Sequence, residues 1–89
     1  MKVTFFALLR PITGQNAIDI EPPANVRELI SLLDARYGKI KDALLDGDGR
    51  LTPGVVILVN GVNVHALAGL DTPLSAGDTV SLFPPLGGG

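Results

Sequence analysis

The segment Phe83-Pro84-Pro85-Leu86-Gly87-Gly88-Gly89 holds the group in this chain best placed to do chemistry, the α-carboxylate of Gly89. That carboxylate is unhindered and ionised at neutral pH, and it is a poor electrophile until something activates it. Glycine has no Cβ, so Gly87, Gly88 and Gly89 can enter a slot that would reject any side chain. Three extended residues reach about 10 Å, and the segment from Pro84 about 20 Å. Leu86 is the last side chain of any size.

No side chain offers a competing chemistry. The chain has no cysteine, which excludes disulfides, thiolate metal sites and thiol-based sulfur handling. His65 is the one histidine, and no partner for a catalytic role can be placed beside it. Ser31, Ser75 and Ser81 have no recognisable base, and Asp71 and Asp78 read as turn formers. Asp46-Gly47-Asp48-Gly49 has the look of a calcium loop but lacks the remaining ligands and the closing glutamate. No glycine-rich loop precedes a helix, so no phosphate cradle is expected. The chain reads as one that is not a self-sufficient enzyme, with any chemistry at Gly89 driven by a partner.

The rest of the chain must hold that ending. Its 89 residues suffice for one domain with one modest core. A hydrophobic fraction of 46% and a mean hydropathy of +0.38 argue against disorder. No apolar run approaches the roughly 20 residues that span a bilayer, and Lys2 is followed at once by strand-like residues rather than a signal peptide. No membrane partner and a cytoplasmic location are therefore expected. A net charge of −2 and dispersed basic residues give no footprint for nucleic acid.

Residues 2–9 read as a strand, with Val3, Phe5, Ala7 and Leu9 on one face and Thr4, Phe6 and Leu8 on the other. Arg10-Pro11-Ile12-Thr13-Gly14 punctuates it, and residues 15–21 read as a second, antiparallel strand. Asn25 and Glu28 mark a helix start, Val26, Leu29, Ile30, Leu33 and Tyr37 form its buried stripe, and Gly38 ends it. Ile40, Leu44 and Leu45 suit a short helical turn. Val55–Val59 reads as a buried strand, Asn60-Gly61 as a type I′ turn and residues 62–64 as a short return strand. Leu67, Leu70 and Leu74 are expected to anchor an irregular stretch inward. Val80 and Leu82 alternate with Thr79, Ser81 and Phe83 in a last strand that the two prolines stop. One long helix on a mixed sheet of about five strands is an α+β layer. Domain 1–83 would then carry a flexible tail, 84–89.

This ending resembles that of the ubiquitin-like sulfur carriers of the MoaD/ThiS family, above all the type that forms the small subunit of molybdopterin synthase. The family ending is Phe-Pro-Pro, an apolar residue, a small residue and Gly-Gly, and Gly87 stands at the small-residue position. Val3-Thr4-Phe5-Phe6-Ala7, Leu9-Arg10, Gly14 and Val59-Asn60-Gly61 extend the resemblance over nearly the whole chain.

The resemblance implies a ubiquitin-like β-grasp fold, with the first and last strands parallel at the sheet centre. It implies that an E1-like enzyme, holding ATP and Mg²⁺, adenylates the Gly89 carboxylate, and that this chain binds no cofactor or metal itself. A persulfide enzyme would then provide sulfur for a thiocarboxylate at Gly89, which the large subunit of molybdopterin synthase would use in molybdenum or tungsten cofactor biosynthesis. Phe6, Phe83, Pro84, Pro85 and Leu86 would face these partners, and Gly87 and Gly88 would thread the tail. Sulfur carriers for cysteine or thiamine biosynthesis share the ending. So do protein modifiers joined to lysines through Gly89. A binding module with an inert tail is the plainest alternative.

Overall fold

The computed structural model describes residues 1–85. Eight regular elements follow in order. They are β1 (Lys2–Phe5), α1 (Leu9–Thr13), β2 (Ala17–Asp19), α2 (Val26–Tyr37), α3 (Ile40–Leu44), β3 (Val56–Val59), β4 (Val62–Asn63) and β5 (Thr79–Phe83). Two 3₁₀ turns, Val64–Ala66 and Gly69–Asp71, lie between β4 and β5.

The five strands form one mixed sheet in the order β2-β1-β5-β3-β4. At its centre β1 and β5 run parallel, from Lys2 opposite Thr79 to Phe5 opposite Leu82. All other pairs are antiparallel. This is the ubiquitin-like β-grasp arrangement. Alternation puts Val3 and Phe5 of β1, Ile57 and Val59 of β3, and Val80 and Leu82 of β5 on the inner face. They meet Val26, Leu29, Ile30 and Leu33 of α2, all fully buried. Ile40 and Leu44 of α3 close one end of this core. Phe5 packs edge-on against Tyr37 at a centroid distance of 6.1 Å.

Local chemistry sets the boundaries. Asn25 Oδ1 accepts the Glu28 N–H at 2.9 Å, which caps α2. Gly38, at φ 73°, ends it. Asn60 and Gly61 take φ of 52° and 80°, as a type I′ turn requires, and join β3 to β4.

The first third of the chain departs from the sequence expectation. The strand expected over 2–9 stops at Phe5, and Leu9 is buried from a helix instead. Ala7 adopts a left-handed φ of 51° that turns the chain out of the sheet. Pro11 sits in the first turn of α1, where its missing N–H costs no hydrogen bond. The alternating apolar residues of 2–9 serve two elements rather than one. The second strand is likewise shorter than residues 15–21, although its antiparallel pairing holds. Leu67 is not an inward anchor; it is 47% exposed, because the 3₁₀ turn at Val64–Ala66 spends its inward position on Val64. Leu74 is buried and Leu70 packs against the core edge.

Candidate functional site

The helices pack on one side of the sheet, and among the described residues none packs on the other. Phe6 follows β1 and Phe83 ends β5, and both have the parity that points away from α2. The Phe6 N–H donates to the Leu82 carbonyl at 3.2 Å, which carries the β1–β5 pairing one residue further. The two rings then stack, with centroids 4.1 Å apart and planes 12° from parallel. Both are half-buried.

Arg10 completes a stack of three. It comes from α1, and its Nε donates to the Phe5 carbonyl at 3.0 Å. That bond holds its guanidinium 5.4 Å from the Phe6 centroid, a cation–π distance. On the other flank of Phe83 lies a groove of about 250 Å³ lined by Ala7, Gly54, Val56, Leu58, Phe83 and Pro84. The lining is almost wholly aliphatic or aromatic. The left-handed turn at Ala7 keeps the chain after β1 from covering it.

The chain leaves β5 along this groove. Pro84 is buried and Pro85 half-buried. Pro85 crosses Gly54, where a Cβ would stand 3.4 Å from the Pro85 Cβ. Gly54 also has φ 92°, which favours glycine whatever the space. Leu86, Gly87, Gly88 and Gly89, also singled out from the sequence, lie outside the described residues.

Phe6, Phe83, Pro84 and Pro85 are thus brought together at one end of the sheet. Sequence reasoning missed Ala7, Arg10, Gly54, Val56 and Leu58 beside them. A signal was present: Val55–Val59 is apolar at every position, and a chain with one long helix cannot cover both faces of such a strand. The run reads as a buried strand, yet Val56 and Leu58 are only half-buried.

The other polar candidates stay apart from this face. Asp46 Oδ1 accepts the N–H groups of Asp48 and Arg50 at 2.8 and 3.0 Å, so its carboxylate closes its own loop. Asp71 pairs with Arg27 at 3.4 Å. His65 is exposed in the 3₁₀ turn after β4. Among the described residues no three His, Asp or Glu side chains converge as metal ligands, and no helix is long and apolar enough to cross a membrane.

The ThiS family model matches residues 3–89 of this sequence. The chain belongs to the ThiS family. It is similar to small archaeal modifier protein 3 of Haloferax volcanii, with 37% identity covering 100% of this chain and 98% of that one. It is also similar to the sulfur carrier protein CysO of Mycobacterium tuberculosis, 34% identical over 98% of this chain and 96% of the other. Among solved structures, a molybdopterin converting factor subunit 1 from Pyrococcus furiosus superposes with a TM-score of 0.72 at 36% identity. It covers 96% of this chain and 95% of its own. The BexX/CysO complex of Amycolatopsis orientalis gives a TM-score of 0.85 at 28% identity, covering 99% and 98%. Sulfur carriers and ubiquitin-like modifiers therefore make up the company in which this ThiS-family domain belongs.

Proposed function

We propose that this chain is a cytoplasmic sulfur carrier that works through the carboxylate of Gly89 and docks its partners on the Phe6–Phe83 face. The observation that carries the reading is the root of the tail. Pro84 and Pro85 leave β5 directly beside the stacked rings and the apolar groove. A partner gripping that face would hold the tail within about 20 Å of its own active site. Small residues at the end would let the tail enter a narrow channel.

The chemistry follows from what the carboxylate lacks. An E1-like enzyme, supplying ATP and Mg²⁺, would join the carboxylate oxygen to the α-phosphorus and release pyrophosphate. The acyl-adenylate so formed has a good leaving group. A persulfide would attack the carbonyl carbon and expel AMP. A second thiolate would then attack the donor's sulfur, forming a disulfide with it and releasing the thiocarboxylate at Gly89. In the molybdopterin reading, the synthase large subunit receives the loaded tail and passes the sulfur to a pterin precursor. The Phe83-Pro84-Pro85 run and the Pyrococcus relative support that destination.

A second reading, conjugation through Gly89 to lysines, is favoured by the full-length match to small archaeal modifier protein 3. Intact mass of the protein from its own cells, with and without a thiol-alkylating reagent, tests the shared step. The chain has no cysteine, so alkylation reports another sulfur nucleophile. One oxygen replaced by sulfur, alkylatable and localised to Gly89, is expected. A carboxylate still unmodified after incubation with ATP, sulfide and the host's activating enzyme would overturn the proposal. Sulfur transfer with the large subunit, against Gly-Gly remnants on lysines of other proteins, separates the two destinations.

A further inference from the structure

The outer edge of β2 faces away from β1 and β5, and no β2 residue lines the groove beside Phe83. Hydrogen-bond parity shows what that edge offers. Phe5 N–H donates to the Asn16 carbonyl at 2.8 Å, and Ile20 N–H to the Met1 carbonyl at 3.0 Å. Val3 stands opposite Ile18 in the same phase. Residues 16, 18 and 20 therefore direct their backbone groups toward β1. The N–H and C=O groups of Ala17 and Asp19 point the other way. Among the described residues none of these four groups has a hydrogen-bond partner.

A basin of about 330 Å³ lies against this edge, lined by Lys2, Gln15, Ala17, Ile18, Asp19 and Arg36. Gln15 Nε2 donates to the Tyr37 hydroxyl at 3.4 Å and so links the residues just before β2 to the end of α2. Arg36 lies 5.5 Å from the Tyr37 centroid. Among the described residues the one ion pair is Arg27–Asp71, so Lys2 and Arg36 have no carboxylate within 4.0 Å. The basin has two cations against one carboxylate, Asp19, in a chain whose net charge is −2.

We propose that the β2 edge binds an extended acidic segment of a partner protein as a sixth strand. Four unpaired backbone groups give an added strand its hydrogen bonds. Its side chains alternate. Those on the α2 side meet Ile18 and Arg36, and carboxylates belong there. Those on the open side meet Ala17 and Asp19, with Lys2 one strand in, and uncharged residues belong there. β2 lies two strands from β5, about 10 Å across the sheet. A partner held on this edge leaves the tail and the aromatic face free for a second protein.

The test uses the full chain, ¹⁵N-labelled, titrated with a blocked hexapeptide of alternating threonine and glutamate. A threonine–lysine hexapeptide is the control. The Ala17 and Asp19 amides are expected to shift downfield and exchange more slowly with the glutamate peptide alone. Arg36→Glu sits on an exposed helix position, so an unchanged spectrum elsewhere verifies its fold. It should weaken that peptide at least about tenfold, as loss of one charge-assisted contact implies, and should admit the lysine peptide. No response at Ala17 and Asp19, an equal response to both peptides, or a response confined to the Phe6–Phe83 face would overturn the proposal. So would sedimentation as a dimer with these amides already protected, which would give the edge to a second copy of the chain.

Discussion

Asp78 shows how much one surface carboxylate can organise. Its Oδ1 accepts from Asn60 Nδ2 and its Oδ2 from the Ser75 N–H, both at 2.8 Å. Asn60 Oδ1 in turn accepts the Thr79 N–H at 2.9 Å. One carboxylate and one amide thus fasten the β3–β4 hairpin to the start of β5. The Asn60 bond first, and the Ser75 bond second, favour the ionised form and hold the Asp78 carboxyl below its usual value. The sign of the linkage follows. A carboxyl with a depressed folded value adds stability above the ordinary aspartate value of about 3.9, and that stability is lost as pH falls through the folded value. Asp78→Ala should lower Tm near neutral pH, and the gap to the parent protein should narrow below about pH 4. Thermal melts of both proteins from pH 7 to pH 2.5 check this. A gap that stays constant into acid would mean that the bonds do not prefer the charged form.

At the scale of elements, the parts legible from sequence were those whose signal is local and complete. For α2 the cap, the stripe and the stop all agree. Its cap can be weighed: Asn25→Ala removes the acceptor for the Glu28 N–H and should cost about 1 kcal/mol, read as a lower urea midpoint with an unchanged slope. Sulfur loading at Gly89 should be unaffected, because the cap lies on the far side of the sheet from the aromatic face. The Asn60-Gly61 turn was legible for the same reason, since both residues tolerate the positive φ they adopt. The break after β1 was not. Ala7 has no special liking for the left-handed region, and its φ of 51° is imposed by what comes next. Leu9 must reach the core, and Thr13 Oγ1 donates to the Leu9 carbonyl at 3.0 Å inside α1. Tertiary demand overrode a period-two pattern that was real over only four residues. The site was half legible on similar grounds. Strand parity gave Phe6 and Phe83. Arg10 reached them through that unforeseen helix, and Gly54 through a loop whose path no periodicity encodes.

For the molecule as a whole, the proposed function divides the sheet into a face for stability and a face for docking. Its inner face and the helices packed on it hold most of the fully buried side chains, whereas its outer face holds half-buried ones that include Phe6, Val56, Leu58 and Phe83. A protein that paired its central strands only to be stable would have no use for stacked rings and an apolar groove facing water. The two faces should therefore respond to substitution in opposite ways. Leu33→Ala empties a fully buried position and should cost about 2–5 kcal/mol, a large share of the 5–15 kcal/mol typical of such a domain. In molecules that remain folded, its adenylation by the activating enzyme should be close to that of the parent. Phe83→Asp removes one ring of the stacked pair on the open face, where a carboxylate can still reach water. Because Phe83 is half-buried and stacked, the substitution should lower Tm, but by less than Leu33→Ala does, yet slow adenylation at least tenfold by loss of an aromatic anchor from the proposed complex. Melting and ATP–pyrophosphate exchange, measured on the same two preparations, decide the matter. If Phe83→Asp adenylates at the parental rate while remaining folded, the aromatic face is not where the activating enzyme grips, and the reason for the stacked pair must be sought with another partner.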